Sequence, residues 1–310
     1  MKKLIPLIAL SAVFTTAVFA ASLSETNSQD KSQYNLFNPT PSDLMRPMYS
    51  DQYDGVFDAH TLDAGHAQIE SSLINYGEFS ERYNYSFVSI HFAEEEYSWS
   101  PRFRVGLLNF MDFDVSPSYV ARSYTLSARV YNYPGSPGSP VLETLSETTH
   151  SSAFGDVGLG STINLWGNDG GPTSLAIHPF VTVPTDRDDW SGGVGIPFGW
   201  QLPLKIYLKL ESEFAVAEIS PHINYGQFYN AISLHRPICS RAEVYWYLDS
   251  TVTSDSAVPW FGYTGFGSIF KVTPNLEFFG GIGFGLGHTE VGMFPNAFNY
   301  NPRFGIVWRY

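Results

Sequence analysis

Period-two alternation of apolar and polar side chains runs from Gly155 to the C-terminus and argues against a helical fold. Its clearest instance is the last ten residues, 301–310, where large apolar groups occupy every second position. Successive side chains of a β-strand point to opposite faces, whereas a helix would scatter this pattern around its axis. The terminal segment is therefore predicted to be an amphipathic strand with Phe304, Ile306, Trp308 and Tyr310 on one face. From these residues alone, an edge strand of a soluble sheet is an equal alternative.

The N-terminus has the pattern of a secretory signal peptide. Lys2 and Lys3 give a positive start, Leu4 to Phe19 is an apolar run, and Ala20 ends a small-residue cleavage site. Residues 1–20 are therefore predicted to be removed, which leaves 290 of the 310 residues. Loss of the two lysines changes the formal net charge from −13 to −15.

Composition favours a membrane barrel over an exported soluble protein. No apolar run after residue 20 is long enough for a transmembrane helix, so these two classes remain. Charged residues make up 15% of the chain, well below the roughly 25% of a soluble domain, and aromatic residues make up 16%. The single Cys239 cannot form an intrachain disulfide, and the acidic balance argues against nucleic acid as a partner.

The chain divides into a leader and a region of regular strands. Residues 21–64 are rich in Ser, Asn, Asp and Pro and are predicted to be an irregular leader on the periplasmic side; residues 65–310 are predicted to form the barrel. Arg82 to Trp99 is interpreted as an outer loop with strand extensions, and a second long loop is expected from Pro134 to about Ala153. Elsewhere short turns alternate with longer polar connections, as in outer-membrane barrels.

The predicted fold is all-β: a transmembrane, antiparallel, up-and-down β-barrel of the Gram-negative outer-membrane type, exported to the cell outer membrane. Counting back from Tyr310 gives about 12 strands, or 14 if Arg82 to Phe92 forms its own hairpin. A soluble β-sandwich is the alternative, because periodicity does not reveal which face is buried.

A barrel of this type collects its polar side chains inside. Lys205, Lys209, Glu211 and Glu213 are predicted to share one strand face, where they would form either a charged constriction or a salt-bridge network that plugs the lumen. Gly281, Gly283 and Gly285 recur at every second position and would leave space for a solute path, an inward-folded loop or the leader; relief of barrel curvature is the alternative. The candidate lumen-lining residues are Glu70, Lys205, Lys209, Glu211, Glu213, Arg241, Glu243, Gly281, Gly283, Gly285 and Arg303.

Enzymatic chemistry is not predicted. The sequence has no His-Glu-x-x-His, no Gly-x-Ser-x-Gly, no phosphate loop and no metal-ligand spacing, so no catalytic residue, metal or cofactor is expected. An outer-membrane lipid-modifying hydrolase, with His178 beside a serine, is a remaining alternative.

Two resemblances add expectations. The terminal strand ending on Tyr310 resembles the C-terminal assembly signal of outer-membrane barrels, which implies outer-membrane lipid and the barrel-assembly machinery as partners. Several motifs also resemble an outer-membrane transporter family labelled as phenol-degradation meta-pathway proteins. They include Asp51, Asp54, Thr61, Asp63, Ala64, Gly65, His66 and Glu70, then the segments 155–157, 164–171, 179–185, 191–193 and 272–276.

The family resemblance implies a barrel that transports a small solute, apolar or aromatic if the label is a guide, although it specifies a substrate hardly at all. The chain departs from the family pattern at Gln52 and Tyr53, where an Arg-Pro pair is usual, which puts any role of that pair in doubt here. A structural or surface-attachment barrel with a plugged lumen is the alternative.

Overall fold

The computed structural model describes residues 30–84, 88–131, 141–185, 190–220, 223–254, 260–286 and 300–310. These residues form one antiparallel sheet and two short 3-10 turns. The strands are β1 Ala67–Asn84, β2 Val88–Trp99, β3 Arg102–Leu108, β4 Met111–Tyr131, β5 Val141–Trp166, β6 Thr173–Val183, β7 Ser191–Leu202, β8 Ile206–Ser220, β9 Ile223–Pro237, β10 Ala242–Thr253, β11 Trp260–Thr273, β12 Leu276–Gly285 and β13 Tyr300–Arg309.

The sheet closes on itself because β1 pairs with β13. Gln68 pairs with Arg309, and the register continues to the pair of Glu78 and Tyr300. β2 and β3 each pair with β1 on one side and with β4 on the other, one after the other along the barrel wall. Together they therefore occupy the position of a single strand. The described residues therefore form a closed barrel of 12 strands, and the predicted fold class is confirmed.

A proline explains the break between β2 and β3. Pairing of β2 with β4 ends at Trp99 and Tyr119, and pairing of β3 with β4 begins at Phe103 and Val115 in the same register. Pro101 lies in this gap and has no N–H to donate to a ladder. One strand is thus divided without changing the closure of the barrel.

Two segments predicted to be loops are regular strands where the structure describes them. Ser80 to Asn84 of β1 pair with Ser89 to Ala93 of β2, so among the described residues Arg82 to Phe92 belongs to these two strands and adds no others; residues 85–87 lie outside the described residues. β5 begins at Val141 and pairs with β4 up to Tyr131. A polar Ser/Thr sequence forms a strand here because a long neighbouring strand satisfies its backbone groups; residues 132–140 lie outside the described residues.

Consecutive strands are joined by two to six residues at 109–110, 167–172, 203–205, 238–241 and 274–275. Because strands alternate in direction, all of these connections lie at one end of the barrel, the short-turn end. Tyr310 lies there as well, where its N–H donates to the Ala67 carbonyl at 2.8 Å. The short turns predicted from sequence are therefore found at one end, as expected for this barrel type.

The outer face of the barrel is apolar and the inner face polar. On the last strand Phe304, Trp308 and Tyr310 are exposed, whereas Val307 and Arg309 are buried toward the lumen. Other strands repeat the pattern, with exposed Phe103, Phe113, Leu165, Val194, Ile196, Trp200, Phe214, Val244, Trp246, Phe266, Phe270 and Phe284. Among the described residues, no helix is long and apolar enough to cross a membrane.

The leader, described here from residue 30 to residue 66, lies inside the barrel and not beneath it. Val56 and Ala64 are fully buried, and Tyr53, Asp54 and Asp63 nearly so. Apart from one 3-10 turn this segment is irregular, and the polar inner wall offers partners for its backbone; residues 21–29 lie outside the described residues. That the leader lies on the periplasmic side stays a prediction.

Candidate functional site

The leader is fixed to one side of the lumen, formed by β1, β3, β4, β5 and β13. The Leu62 N–H donates to Asp112 Oδ2 at 2.7 Å, and Asn164 Nδ2 donates to the Ala59 carbonyl at 2.7 Å. On the closing strand, Arg309 Nη1 donates to the Arg46 carbonyl at 2.8 Å. Strand side chains thus hold the backbone of the leader directly.

Arg104 of β3 is the centre of this wall. Its guanidinium lies 3.1 Å from Glu70 and 2.6 Å from Asp112, and all three side chains are buried. Glu70 also accepts from the Ser50 hydroxyl at 2.5 Å, which joins the network to the leader. Buried charges require such compensation, because an unpaired one would carry a large desolvation penalty.

The leader backbone approaches the wall most closely at Gly106 of β3. A Cβ atom placed on Gly106 would lie 2.1 Å from the Asp63 carbonyl oxygen. The backbone N–H of Gly65 donates to the Gly106 carbonyl at 2.8 Å. A glycine is needed at residue 106 because any side chain would displace the leader.

The motif residues of the sequence analysis are contacts between leader and barrel. Asp51 pairs with Arg102, and the Thr61 N–H donates to Asn168 Oδ1 at 3.0 Å. Asp63 lies 3.7 Å from Arg309 of β13. The motif residues near Asp51 to Asp63 and those near Asn168 are far apart in the chain but contact each other where the leader binds the barrel wall.

Residues Asp51 to Asp58 form a loop, the latch, that crosses from this wall to the opposite one. Its two ends are close together, since the Asp58 N–H donates to Asp51 Oδ1 at 2.6 Å. Asp54 lies 3.0 Å from Lys209 Nζ and 2.6 Å from His235 Nε2. The latch is thus a narrow bridge held at its far side by an acidic side chain between two basic ones.

Further contacts hold the latch on both sides of Asp54. The Phe57 N–H donates to Glu211 Oε2 at 2.8 Å, and the Tyr53 hydroxyl donates to Glu277. The tip residue Gly55 is exposed, and its carbonyl accepts from the Tyr229 hydroxyl at 3.3 Å. The latch therefore separates the short-turn half of the lumen from the half that Gly55 faces.

Two latch carboxylates have lowered pKa values. Burial alone raises the pKa of Asp54, but Lys209 and His235 outweigh it, so this pKa lies well below its ordinary value. Burial likewise raises the pKa of Asp58, but His60, whose Nδ1 lies 2.6 Å from Asp58, lowers it to about 2. Asp54 and Asp58 are therefore charged at neutral pH.

A cavity of 590 Å³, the vestibule, lies between the leader and the wall opposite its seat. The turn at Gly170 to Pro172, which is exposed, forms part of its rim, so the vestibule opens at the short-turn end. Tyr53 and Asp58 of the latch line its other end, at the level of Lys209 and His235. The vestibule is a blind chamber whose closed end is the latch.

Most predicted lumen residues point inward as expected. Glu70, Lys209 and Glu211 are buried against the leader. Glu243 accepts from His235 Nδ1 at 2.8 Å, and Arg303 lies over the Tyr247 ring, 5.4 Å from its centroid. The inward-facing predictions that hold in the structure are Glu70, Lys209, Glu211, Glu213, Glu243, Gly281, Gly283 and Arg303.

Lys205 and Arg241 are placed differently from their predictions. Lys205 lies in the turn 203–205, where Leu204 and Lys205 have φ of 63° and 59°, so the chain leaves the strand conformation before the residue can join the strand face. It lines the rim of the vestibule. Arg241 is exposed in the turn 238–241. Both residues lie in turns, where the backbone is not extended and side chains no longer alternate between the two faces of the sheet.

Tyrosines fill the space over the inward glycines. A Cβ on Gly281 would lie 2.5 Å from the Tyr245 hydroxyl oxygen, and one on Gly283 would lie 2.3 Å from the Tyr247 hydroxyl oxygen. The glycines accommodate large side chains that originate on β10 and lie over β12. Gly285 pairs with Tyr263 at the end of β12. At Gly281 and Gly283 the space left by the missing side chain is occupied by a tyrosine side chain.

His178, the candidate base of a hydrolase, has a packing environment. Its ring stacks on Phe57 of the latch, with 4.3 Å between centroids, and its Nδ1 lies 3.3 Å from the Thr162 hydroxyl. It is buried, and among the described residues its hydrogen-bond partner is a threonine. This geometry places the His178 ring against the latch.

The latch is the functional element that reasoning from sequence missed. Its residues have no periodicity, so nothing local assigned them to the lumen. The available signal was the inward charge of Lys209, whose ion-pair partner among the described residues is Asp54 of the latch and which an empty lumen would leave without it.

No protein-family model matches the chain, and no curated protein sequence does. Among solved structures, an outer membrane channel from Pseudomonas putida F1 matches with a TM-score of 0.48 and 10% identity, over 85% of this chain and 100% of that chain. An anion-selective porin from Comamonas acidovorans matches with a TM-score of 0.37 and 8% identity, over 79% and 98%. OmpT from Vibrio cholerae matches with a TM-score of 0.38 and 9% identity, over 86% and 100%. At such identities and TM-scores, a function for this chain has to follow from its own contacts.

Proposed function

We propose that this protein is an outer-membrane channel for small solutes, closed in this conformation by the latch. The observation that carries the proposal is the one-sided seating of the leader. The leader is bound to β1, β3, β4, β5 and β13 and leaves a chamber of 590 Å³ along the opposite wall. A plug that served only to fill the barrel would not leave such a chamber.

The location follows from the surface of the barrel. Its outer face carries exposed Phe, Trp, Leu and Val side chains on many strands, and exposing that area to water would be unfavourable. A lipid bilayer removes this cost, and closed barrels satisfy their backbone groups within the bilayer. The motif resemblance supports the same location, and it supports a small apolar or aromatic solute as the transported class.

Transport requires only the latch to move. The latch alone separates the vestibule from the far side of the lumen, because Tyr53 of the latch lines the vestibule while Gly55 of the same loop is exposed on the other side. The ends of the latch, Asp51 and Asp58, are in contact, so the loop can fold away while the rest of the leader keeps its seat. A plugged structural barrel is the alternative, favoured by the number of ion pairs inside the lumen.

Planar-bilayer recordings test the proposal. Replacing Gln52 to Phe57 by two glycines shortens the latch across ends that already touch, and this variant should give steady conductance steps where wild type gives rare ones. Silence from a correctly folded shortened variant would refute the channel and favour the plugged barrel. Hydrolysis of lipid by the wild-type protein, lost in His178→Ala, would instead identify an enzyme.

A further inference from the structure

The vestibule has its own chemistry, separate from the latch that closes it. Its volume of 590 Å³ lies within the range of small-molecule sites. Tyr49 and His60 stack in it with ring centroids 4.2 Å apart and an interplanar angle of 8°. The Tyr207 ring lies 6.0 Å from His60, so three flat groups form one side of the chamber.

Every carboxylate on the vestibule wall already has a close partner. Asp58 lies 2.6 Å from His60 Nδ1, and Glu243 lies 2.8 Å from His235 Nδ1. Asp169 lies 2.9 Å from Lys31 Nζ. Glu277, the remaining one, accepts from the Tyr53 hydroxyl. A cation that entered the vestibule would have to compete with these partners.

Two lysines that line the vestibule, Lys205 and Lys271, lack a carboxylate at hydrogen-bond distance among the described residues. Lys205, on the rim, has no ion pair among the described residues and is exposed. Lys271 lies 3.7 Å from Glu243 and 3.9 Å from Glu277, longer than the roughly 2.7–2.9 Å of a charge-assisted hydrogen bond. An anion that entered the vestibule would therefore meet amines able to bind it.

We infer that the vestibule is a binding site for a small organic anion with a flat apolar body. The carboxylate or other anionic group lies between Lys205 and Lys271, and the flat body lies against Tyr49, His60 and Tyr207. The inference rests on the proposed function in one respect: it identifies the charge class of the solute that occupies the short-turn half of the route. The acidic composition of the whole chain would have suggested the opposite charge preference.

Isothermal titration of the purified, folded full-length protein with three probes of similar size tests the inference: benzoate, benzyl alcohol and benzylamine. Wild type should bind benzoate at least tenfold more tightly than benzylamine, with benzyl alcohol between them. The double variant Lys205→Glu, Lys271→Glu should lose at least tenfold in benzoate affinity. Equal binding of benzoate and benzylamine by wild type would overturn the inference.

Arg129→Glu is the matched control, because it reverses an exposed charge on β4 at the end of the barrel opposite the short turns, away from the vestibule. It should leave benzoate affinity unchanged; a loss as large as that of the double variant would overturn the site in favour of a general surface-charge effect. Conductance separates the two proposals. A conducting shortened-latch variant with no benzoate binding in wild type refutes this site alone, and benzoate binding with a silent shortened-latch variant refutes the channel alone.

Discussion

The carboxylate of Asp54 lies 3.0 Å from the ammonium nitrogen of Lys209, although 155 positions separate the two residues in the chain. Both side chains are buried, and His235 contacts the same carboxylate at 2.6 Å. This contact joins the latch to the wall opposite the seat of the leader. The proposed closure of the lumen by the latch rests on this interaction.

Replacement of Asp54 by Asn should open the channel. Removing one partner of a buried ion pair typically costs about 3 to 5 kcal/mol, because the other charge stays buried without compensation. Lys209 would be left in that state, so the closed latch is destabilised relative to the open one. Planar-bilayer recordings should show a larger open fraction than wild type.

Asp43→Asn is the control for this substitution. Asp43 belongs to the same leader but is exposed, in the 3-10 turn Ser42–Leu44. Its variant should conduct like wild type. Equal open fractions in the Asp54→Asn variant and wild type would show that the ion pair does not control closure.

Acid should weaken the closed latch. The pKa values of Asp54 and Asp58 are lower in the folded protein than the roughly 3.9 of a free aspartate, so their contribution is complete above pH 4 and is lost as the pH falls toward 2. Asp54 faces Lys209 and His235, and Asp58 faces His60 and Tyr207. Conductance measured between pH 7 and pH 3 should rise at the acid end. An Asp54→Asn protein should respond less than wild type, and an identical response would assign the effect to other groups.

Gly283→Ala should destabilise the barrel through Tyr247. The new methyl would lie 2.3 Å from the Tyr247 hydroxyl oxygen, and overpacking of this kind typically costs roughly 1–3 kcal/mol. Tyr247→Phe removes the contacted oxygen, so the same change should cost less in that background. Unfolding followed by the mobility shift of heated samples measures both.

Gly280→Ala is the matched control on the same strand, because its Cβ would meet atoms no closer than 3.6 Å. It should be near neutral. If Gly283→Ala costs the same in wild type and in Tyr247→Phe, the tyrosine is not the reason for the glycine. Gly283→Trp is not a suitable test of a solute path. The tryptophan would displace the Tyr247 side chain, so a change in transport could come from that displacement.

Ile306→Lys should destabilise the barrel in the membrane. Ile306 shares the outward face with Phe304 and Trp308, and a lysine on the lipid face near the middle of a bilayer costs roughly 2–4 kcal/mol. Ile238→Lys places the same charge in an exposed short turn and should cost little. Urea unfolding in lipid vesicles gives the comparison, and equal stability of the two variants would place the apolar face outside the bilayer.

Deletion of Tyr310 tests the assembly signal. The Tyr310 N–H and carbonyl bond to Ala67, and its side chain is 81% exposed at the closing seam. If Tyr310 contributes only this contact between β1 and β13, its deletion should leave membrane insertion intact. If it is part of an assembly signal, the deletion should prevent insertion. Precursor should accumulate in the periplasm, and a normal heat-modifiable barrel in the outer membrane would contradict the prediction.

The sequence alone predicted the strands and their faces where alternation was regular. Val307 and Arg309 point inward and Trp308 outward, as the period of two requires. It also predicted Lys209 and Glu211 in the lumen, since both lie within an unbroken strand. Lys205 lies in a short turn and not on the strand face predicted for it, although it lines the rim of the vestibule.

What these inward groups contact was decided by the tertiary structure. A period of two determines the direction of Lys209, but its partner Asp54 lies in a segment with no period, and only closure of the barrel brings them together. The same holds for Gly283, whose missing side chain indicated space but not the Tyr247 ring that occupies it. Side-chain direction is a local property of the backbone and can be read from the sequence, whereas the filling of the lumen depends on contacts between distant segments and arises only when the barrel closes around the leader.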